Sequence, residues 1–127
     1  ISVGTEILLG NIVNTNAAFL AEQCAALGLS CYYQTVVGDN PERLLQTVRT
    51  AFSRSDIILL SGGLGPTKDD LTKETVAEVF GAALLEDTAS REMIAAYFQT
   101  RGKIPTENNW KQALVPEGGR AVANRNG

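Results

Sequence analysis

Short unbroken apolar runs alternate with apolar residues at helical spacing from Ile1 to about Leu85. Ile1 to Val3 reads as the end of a first buried strand. Leu29 to Val37 has strand composition, carrying Tyr32, Tyr33, Thr35, Val36 and Val37. Ile57 to Leu60 are four consecutive apolar residues, the pattern of a strand buried on both faces inside a parallel sheet. Ile7 to Leu9 are expected to be packing residues within a connection.

Helical segments fall between these runs. Asn14 is placed to cap a helix with Ala17, Leu20, Cys24 and Leu27 at helical spacing, and Gly28 to end it. Asn40 caps the next, with Pro41 at its first position and Leu44, Leu45, Val48, Ala51 and Phe52 as its buried face. Thr72 is expected to cap a helix that runs to Phe80 and stops at Gly81. Ala82 to Leu85 reads as a minor strand. Asp87 or Thr88 caps a further helix, with Met93, Ile94, Tyr97 and Phe98 on one side and Gly102 as its stop. A short polar helix follows Pro105 as far as Ala113, with Trp110 as a packing anchor, and Leu114 to Asn124 reads as an irregular return strand. This alternation predicts parallel βαβ units in a three-layer α/β/α sandwich with a mostly parallel sheet.

Chemistry concentrates in residues 55–75, where the run Ile57–Leu60 is followed at once by Gly62, Gly63, Gly65 and Pro66. A strand that ends in a glycine loop and enters a helix gathers exposed N–H groups and the positive end of a helix dipole, a place to hold phosphate. Asp69 and Asp70 lie in that loop. Carboxylates repel a phosphate unless a hard cation lies between them, which points to a divalent metal. Equally, two acids near a helix start can simply complement its dipole. Neither common phosphate motif applies, because Lys68 precedes Asp69 where the Walker pattern needs Ser or Thr, and stands where the dinucleotide fingerprint needs glycine.

In open α/β sheets the loops at the carboxyl ends of strands form the site. That rule places Gly4-Thr5-Glu6 beside the glycine loop if the two strands are neighbours, and puts Asp39 at another strand end. Asn40 already supplies the helix cap, so Asp39 is the better candidate for a site role.

The remaining composition narrows the classes. The chain of 127 residues is one domain's worth, carries a net charge of −3 and has no basic run, which argues against nucleic acid as a partner. It has no histidine, and its two cysteines, Cys24 and Cys31, form no Cys-x-x-Cys pair. Histidine-based catalysis is excluded, a zinc site is not expected, and both cysteines read as small apolar fillers in a reducing, cytoplasmic setting. No run has the length of a membrane span. The chain begins without methionine inside a strand and stops in a loop, so a single domain over 1–127, truncated at both ends, is expected.

Four ordered blocks carry a resemblance: Gly4-Thr5-Glu6-Ile7-Leu8-Leu9-Gly10, Asn14-Thr15-Asn16, Val37-Gly38-Asp39-Asn40, and Ser-Gly-Gly-Leu-Gly-Pro-Thr-Lys-Asp-Asp-Leu-Thr at 61–72. Together they resemble the N-terminal domain of the CinA, or competence/damage-inducible, family and, more distantly, the MogA/MoaB and gephyrin-type molybdopterin-binding proteins. Asn109 and Gln112 resemble that family's Asn-x-x-Gln-Ala element. Asn124-Arg125-Asn126-Gly127 resembles the start of its Asn-x-x-Gly-Thr-Ala-Pro-Gly block. Leu64 departs from the threonine of the molybdopterin pattern, which favours the CinA branch.

The resemblance implies a molybdopterin-binding-type fold and metal-dependent hydrolysis of ADP-ribose to AMP and ribose 5-phosphate. Molybdopterin binding or adenylyl transfer, or a non-catalytic nucleotide- or pterin-binding module, are the alternatives. Asp70, Asp69 and Asp39 are the expected catalytic acids. Gly4, Thr5, Glu6, Asn16, Gly62, Gly63, Gly65, Pro66, Thr67, Thr72 and Asn109 are the expected ligand or phosphate contacts. Asp70, Asp39 and Glu6 are the expected ligands of a Mg²⁺-, Mn²⁺- or Co²⁺-like ion, with no organic cofactor. Relatives of this type also imply a homodimer or homotrimer and, in longer members, a C-terminal nicotinamide-nucleotide amidase domain.

Overall fold

A computed structural model describes residues 1–124, so Arg125, Asn126 and Gly127 of the last resembling block lie outside the described residues. Elements run in the order β1 (Ser2–Val3), α1 (Thr5–Leu8), α2 (Thr15–Ala26), β2 (Val36–Val37), α3 (Pro41–Arg54), α4 (Thr72–Phe80), β3 (Leu84–Glu86), α5 (Thr88–Gln99), α6 (Glu107–Trp110), a 3₁₀ turn (Lys111–Ala113) and β4 (Leu114–Pro116). They divide into two compact units, Ile1–Gly63 and Leu64 onward.

In the first unit β1 pairs in parallel with β2, Ser2 opposite Val36 and Val3 opposite Val37. Its other edge meets Ser61 in a parallel bridge, where Val3 N–H donates to the Ser61 carbonyl at 2.8 Å and Ser61 N–H to the Ile1 carbonyl at 3.0 Å. Helix α3 packs on β2. It is capped by Asn40, whose side chain accepts from Arg43 N–H at 3.0 Å, and it starts on Pro41, which has no N–H to leave orphaned. Leu44, Val48 and Ala51 recur on its inner face and join Val3 and Val37 in the core. Helix α2 is capped by Asn14, which accepts from Ala17 N–H at 3.2 Å while donating to the hydroxyl of buried Ser2 at 3.0 Å. Gly28, at φ +73°, ends it.

In the second unit β3 and β4 pair antiparallel, Leu84 opposite Pro116. Thr72, Thr75 and Ala77 of α4 and Ala113 of the 3₁₀ turn are buried. Asp87 caps α5 by accepting from Ser90 N–H at 2.8 Å, and Gly81, at φ +63°, ends α4.

Several expectations are corrected. Ile57–Leu60 is not a doubly buried strand: Ile57 is 58% and Leu59 42% exposed, and only Ser61 joins the ladder. Strand structure likewise covers only Val36–Val37 of the expected 29–37 segment. The shared reason is that β1 spans just Ser2–Val3, so residues farther from the paired end have no strand alongside. Residues 5–8 form a short helix where a connection was expected. Thr72 is the first residue of α4 and its cap position is Leu71. Phe52 is exposed, as is Cys31, while Cys24 is half-buried, and both cysteines are free. Tyr97 is exposed too, with its ring face covered by the Arg101 guanidinium at 3.6 Å. Trp110 is half-buried under Arg91 at 4.1 Å.

Candidate functional site

Three parallel segments of the first unit end side by side at Val3, Val37 and Ser61, so the loops that follow share one edge, as the rule for α/β sheets requires. Gly4 N–H donates to the Val37 carbonyl at 2.9 Å. Asp39 enters the same edge in a clamp: its Oδ2 accepts from both the N–H and the hydroxyl of Thr5, each at 2.8 Å. Asp39 N–H donates in turn to Thr5 Oγ1 at 3.1 Å. Glu6 is exposed, and its carboxylate lies over Gly4, where an added Cβ would come within 2.7 Å of Oε1. Gly62 sits at φ +88° with the Val3 carbonyl oxygen 2.0 Å from where a Cβ would be, so only glycine fits. Gly63 follows at φ +61°. Asn16 is exposed in the first turn of α2, two positions after its cap residue Asn14.

The second unit repeats the clamp. Asp70 Oδ2 accepts from Thr67 N–H at 2.9 Å and from Thr67 Oγ1 at 2.5 Å. Gly65 passes so close that a Cβ would lie 2.7 Å from that oxygen. The Thr67 hydroxyl is the main reason the Asp70 carboxyl is held below the usual carboxylate range. Partial burial opposes it, and the N–H groups of Thr67 and Gly65 and the charge of Lys111 assist it. Asp70 therefore stays ionised at neutral pH. Asp69 is exposed and without a described partner, Pro66 is half-buried, and Thr72 is buried at the start of α4. Asn109 is occupied within α6, its Oδ1 accepting from the N–H and hydroxyl of Thr106, each at 2.8 Å.

Sequence reasoning missed Lys111, Lys73 and Glu74. Lys111 Nζ donates to the Thr67 carbonyl at 3.1 Å and to the Asp70 carbonyl, and lies 3.4 Å from Glu74 Oε1. Lys73 Nζ donates to the carbonyls of Lys111 at 2.6 Å and Leu114 at 3.1 Å. Burial pushes the Lys73 ammonium below its usual range; Glu74 opposes this and Lys111 adds to it. The one available signal was a lysine between Asn109 and Gln112, and nothing local tied it to carbonyls 41 and 44 positions away.

Among the described residues no three His, Cys, Asp or Glu side chains converge to cage a metal. The donors on offer are single carboxylates. Such donors fit a Mg²⁺-like ion that keeps waters and shares ligands with phosphate, not an all-protein cage. A cavity of about 560 Å³ opens elsewhere in the first unit, lined by Ile1, Cys24, Tyr33, Arg54 and Leu59 among others. It lies at the amino-terminal ends of the strands, away from the Thr5–Asp39 clamp at their carboxyl ends.

The parallel strands of the first unit, and a threonine–aspartate clamp in each unit, define a protein of the α/β class. The family model described as "Probable molybdopterin binding domain" matches residues 1–123, and the chain belongs to that family. It is similar to a relative named as a competence-damage inducible protein in Thermoanaerobacter sp. (strain X514), at 54% identity over all of this chain and 31% of the relative. It is also similar to a "CinA-like protein" of Nostoc sp. (strain PCC 7120), at 52% identity over all of this chain and 30% of that one. A crystal structure of the protein CinA, of unknown function, from Thermoplasma acidophilum superposes with a TM-score of 0.88 at 36% identity, covering 99% of this chain and 73% of that one. The α/β class and the CinA-type molybdopterin-binding fold expected from the sequence are thereby borne out. The chain spans about a third of the length of the curated relatives it matches.

Proposed function

We propose that the domain hydrolyses a nucleotide diphosphate, ADP-ribose to AMP and ribose 5-phosphate, with a divalent ion shared between protein carboxylate and substrate phosphates. The observation that carries this reading is the Thr67–Asp70 clamp, which keeps an ionised carboxylate at the mouth of a glycine loop leading into α4. A bound Mg²⁺, Mn²⁺ or Co²⁺ would neutralise charge between that carboxylate and a phosphate and polarise the attacked phosphorus. Asp70 holds the loop and offers the anionic ligand. Gly65 lets the backbone approach closely, and the loop's N–H groups receive phosphate oxygens. Asp69, exposed in the same loop, is assigned to orienting the attacking water. The first unit carries carboxylates of its own at its strand ends, Asp39 in the Thr5 clamp and the exposed Glu6.

The family description favours a second reading, in which the same loop binds molybdopterin or serves adenylyl transfer. The test presents ADP-ribose, FAD, and ATP with molybdopterin, each with Mg²⁺, Mn²⁺ or Co²⁺. AMP release from ADP-ribose supports the hydrolase. Turnover confined to ATP with molybdopterin selects the second reading, and saturable binding without turnover would make the domain a binding module. The relatives are about threefold longer than this chain, which leaves room for a fused domain, and an amidase is our assignment for it. No helix among the described residues is long and apolar enough to cross a membrane. Self-association of the domain as a dimer or trimer is part of the same proposal.

A further inference from the structure

The Lys111 ammonium is enclosed on three sides by oxygen: the carbonyls of Thr67 and Asp70 and the Glu74 carboxylate. An ammonium has three protons to donate; two go to the Thr67 and Asp70 carbonyls, and the third side faces the Glu74 carboxylate as an ion pair. The stem is mostly covered, with only 20% of the side chain exposed. Glu74 Oε2 is buried and has no hydrogen-bond partner among the described residues, an expensive arrangement unless a positive charge stands beside the carboxylate. Lys73 fixes the base of this arrangement by holding the carbonyl of Lys111 itself. Two carbonyls and a carboxylate around one positive centre form the surroundings of a weakly hydrated monovalent cation.

The consequence for the loop follows from peptide geometry. In a trans peptide the carbonyl and the N–H of the next residue point in opposite directions. Drawing the Thr67 and Asp70 carbonyls toward Lys111 turns the N–H groups of Lys68 and Leu71 the other way. Neither N–H has a hydrogen-bond partner among the described residues. We infer that Lys111 is a positioning residue, a tethered cation whose hold on the Thr67 and Asp70 carbonyls presents the Lys68 and Leu71 N–H groups to a phosphate oxygen. The last step rests on the proposed phosphate-binding role of the loop; the hold on the carbonyls does not.

The experiment follows the Lys68 and Leu71 amides by ¹⁵N–¹H NMR and titrates inorganic pyrophosphate with Mg²⁺. Lys111→Ala empties the cage. Lys111→Met fills it without charge and keeps most of the packing, so it serves if the alanine variant folds poorly. Both variants should shift the two amide signals and weaken pyrophosphate binding by about tenfold or more, as for loss of hydrogen bonds to a charged group. Excess methylammonium or K⁺ should return the Lys111→Ala amides toward their wild-type positions and restore binding. Tetramethylammonium should not, and Lys111→Met should resist rescue by any of them. Unchanged Lys68 and Leu71 signals in both variants, or a folded Lys111→Ala that no small cation restores, would overturn the inference. If wild-type protein ignores pyrophosphate while the amide shifts and their rescue occur, the phosphate reading fails and the role of Lys111 in the loop stands.

Discussion

Asp70 and Thr67 are three residues apart, and their mutual hold is the most consequential local contact in the second unit. Removing the hydroxyl tests it directly. Thr67→Val should move the Asp70 carboxyl up toward its ordinary range in an NMR titration, whereas Thr67→Ser should leave it depressed. Because the folded-state value lies below the unfolded one, ionised Asp70 contributes stability above about pH 3.9. That contribution fades as pH falls from there through the folded value, so Thr67→Val should have less of it to lose and should finish losing it at a higher pH. An unchanged titration in Thr67→Val would show that the hydroxyl is not the main cause. Two glycines make a second residue-scale contrast. Gly62→Ala drives a Cβ into the Val3 carbonyl at positive φ and should cost about 3 kcal/mol or more in urea unfolding. Gly81→Ala, at φ +63° with open space around it, should cost only about 1–2 kcal/mol. Equal costs would mean that the loop at Gly62 yields.

Helix ends were legible in the sequence and strand extents were not, for a physical reason. A cap is settled within four residues: Asn14, Asn40 and Asp87 each accept from the N–H three positions on. A ladder depends on a distant neighbour, and the apolar run Ile57–Leu60 carries no information on how far β1 accompanies it. Thr72 is the exception among caps, since it is buried in the first turn of α4 with Leu71 at the cap position. The double role of Asn14 gives an element-scale prediction. Asn40→Ala should destabilise by about 1 kcal/mol, the usual loss for a cap. Asn14→Ala should cost more, because it also strips the buried Ser2 hydroxyl of its donor. Asn14→Asp, which keeps the cap acceptor and loses the donation, should fall between wild type and Asn14→Ala. The reverse order in urea midpoints would show that the link to Ser2 contributes nothing.

Across the whole molecule, the residues that sequence reasoning placed at strand ends are those the sheet brings to one edge: Gly4, Thr5 and Glu6 after β1, Asp39 after β2, and Gly62 and Gly63 after Ser61. They were legible because chain direction alone decides which end of a parallel strand carries the loop. The lysine cage was not, because its contacts join residues about forty positions apart through backbone carbonyls, which every residue has and no motif records. The chain belongs to a molybdopterin-binding family and is similar to CinA proteins, and the account attaches its chemistry to one carboxylate. The most direct measurement is therefore AMP formation from ADP-ribose by wild type and Asp70→Asn, with ADP-ribose affinity measured alongside. The account predicts divalent-ion-dependent release by wild type and a loss of turnover on the order of a hundredfold or more in Asp70→Asn, with affinity changed far less. Undiminished AMP release by Asp70→Asn, or none from wild type under Mg²⁺, Mn²⁺ or Co²⁺, would contradict it.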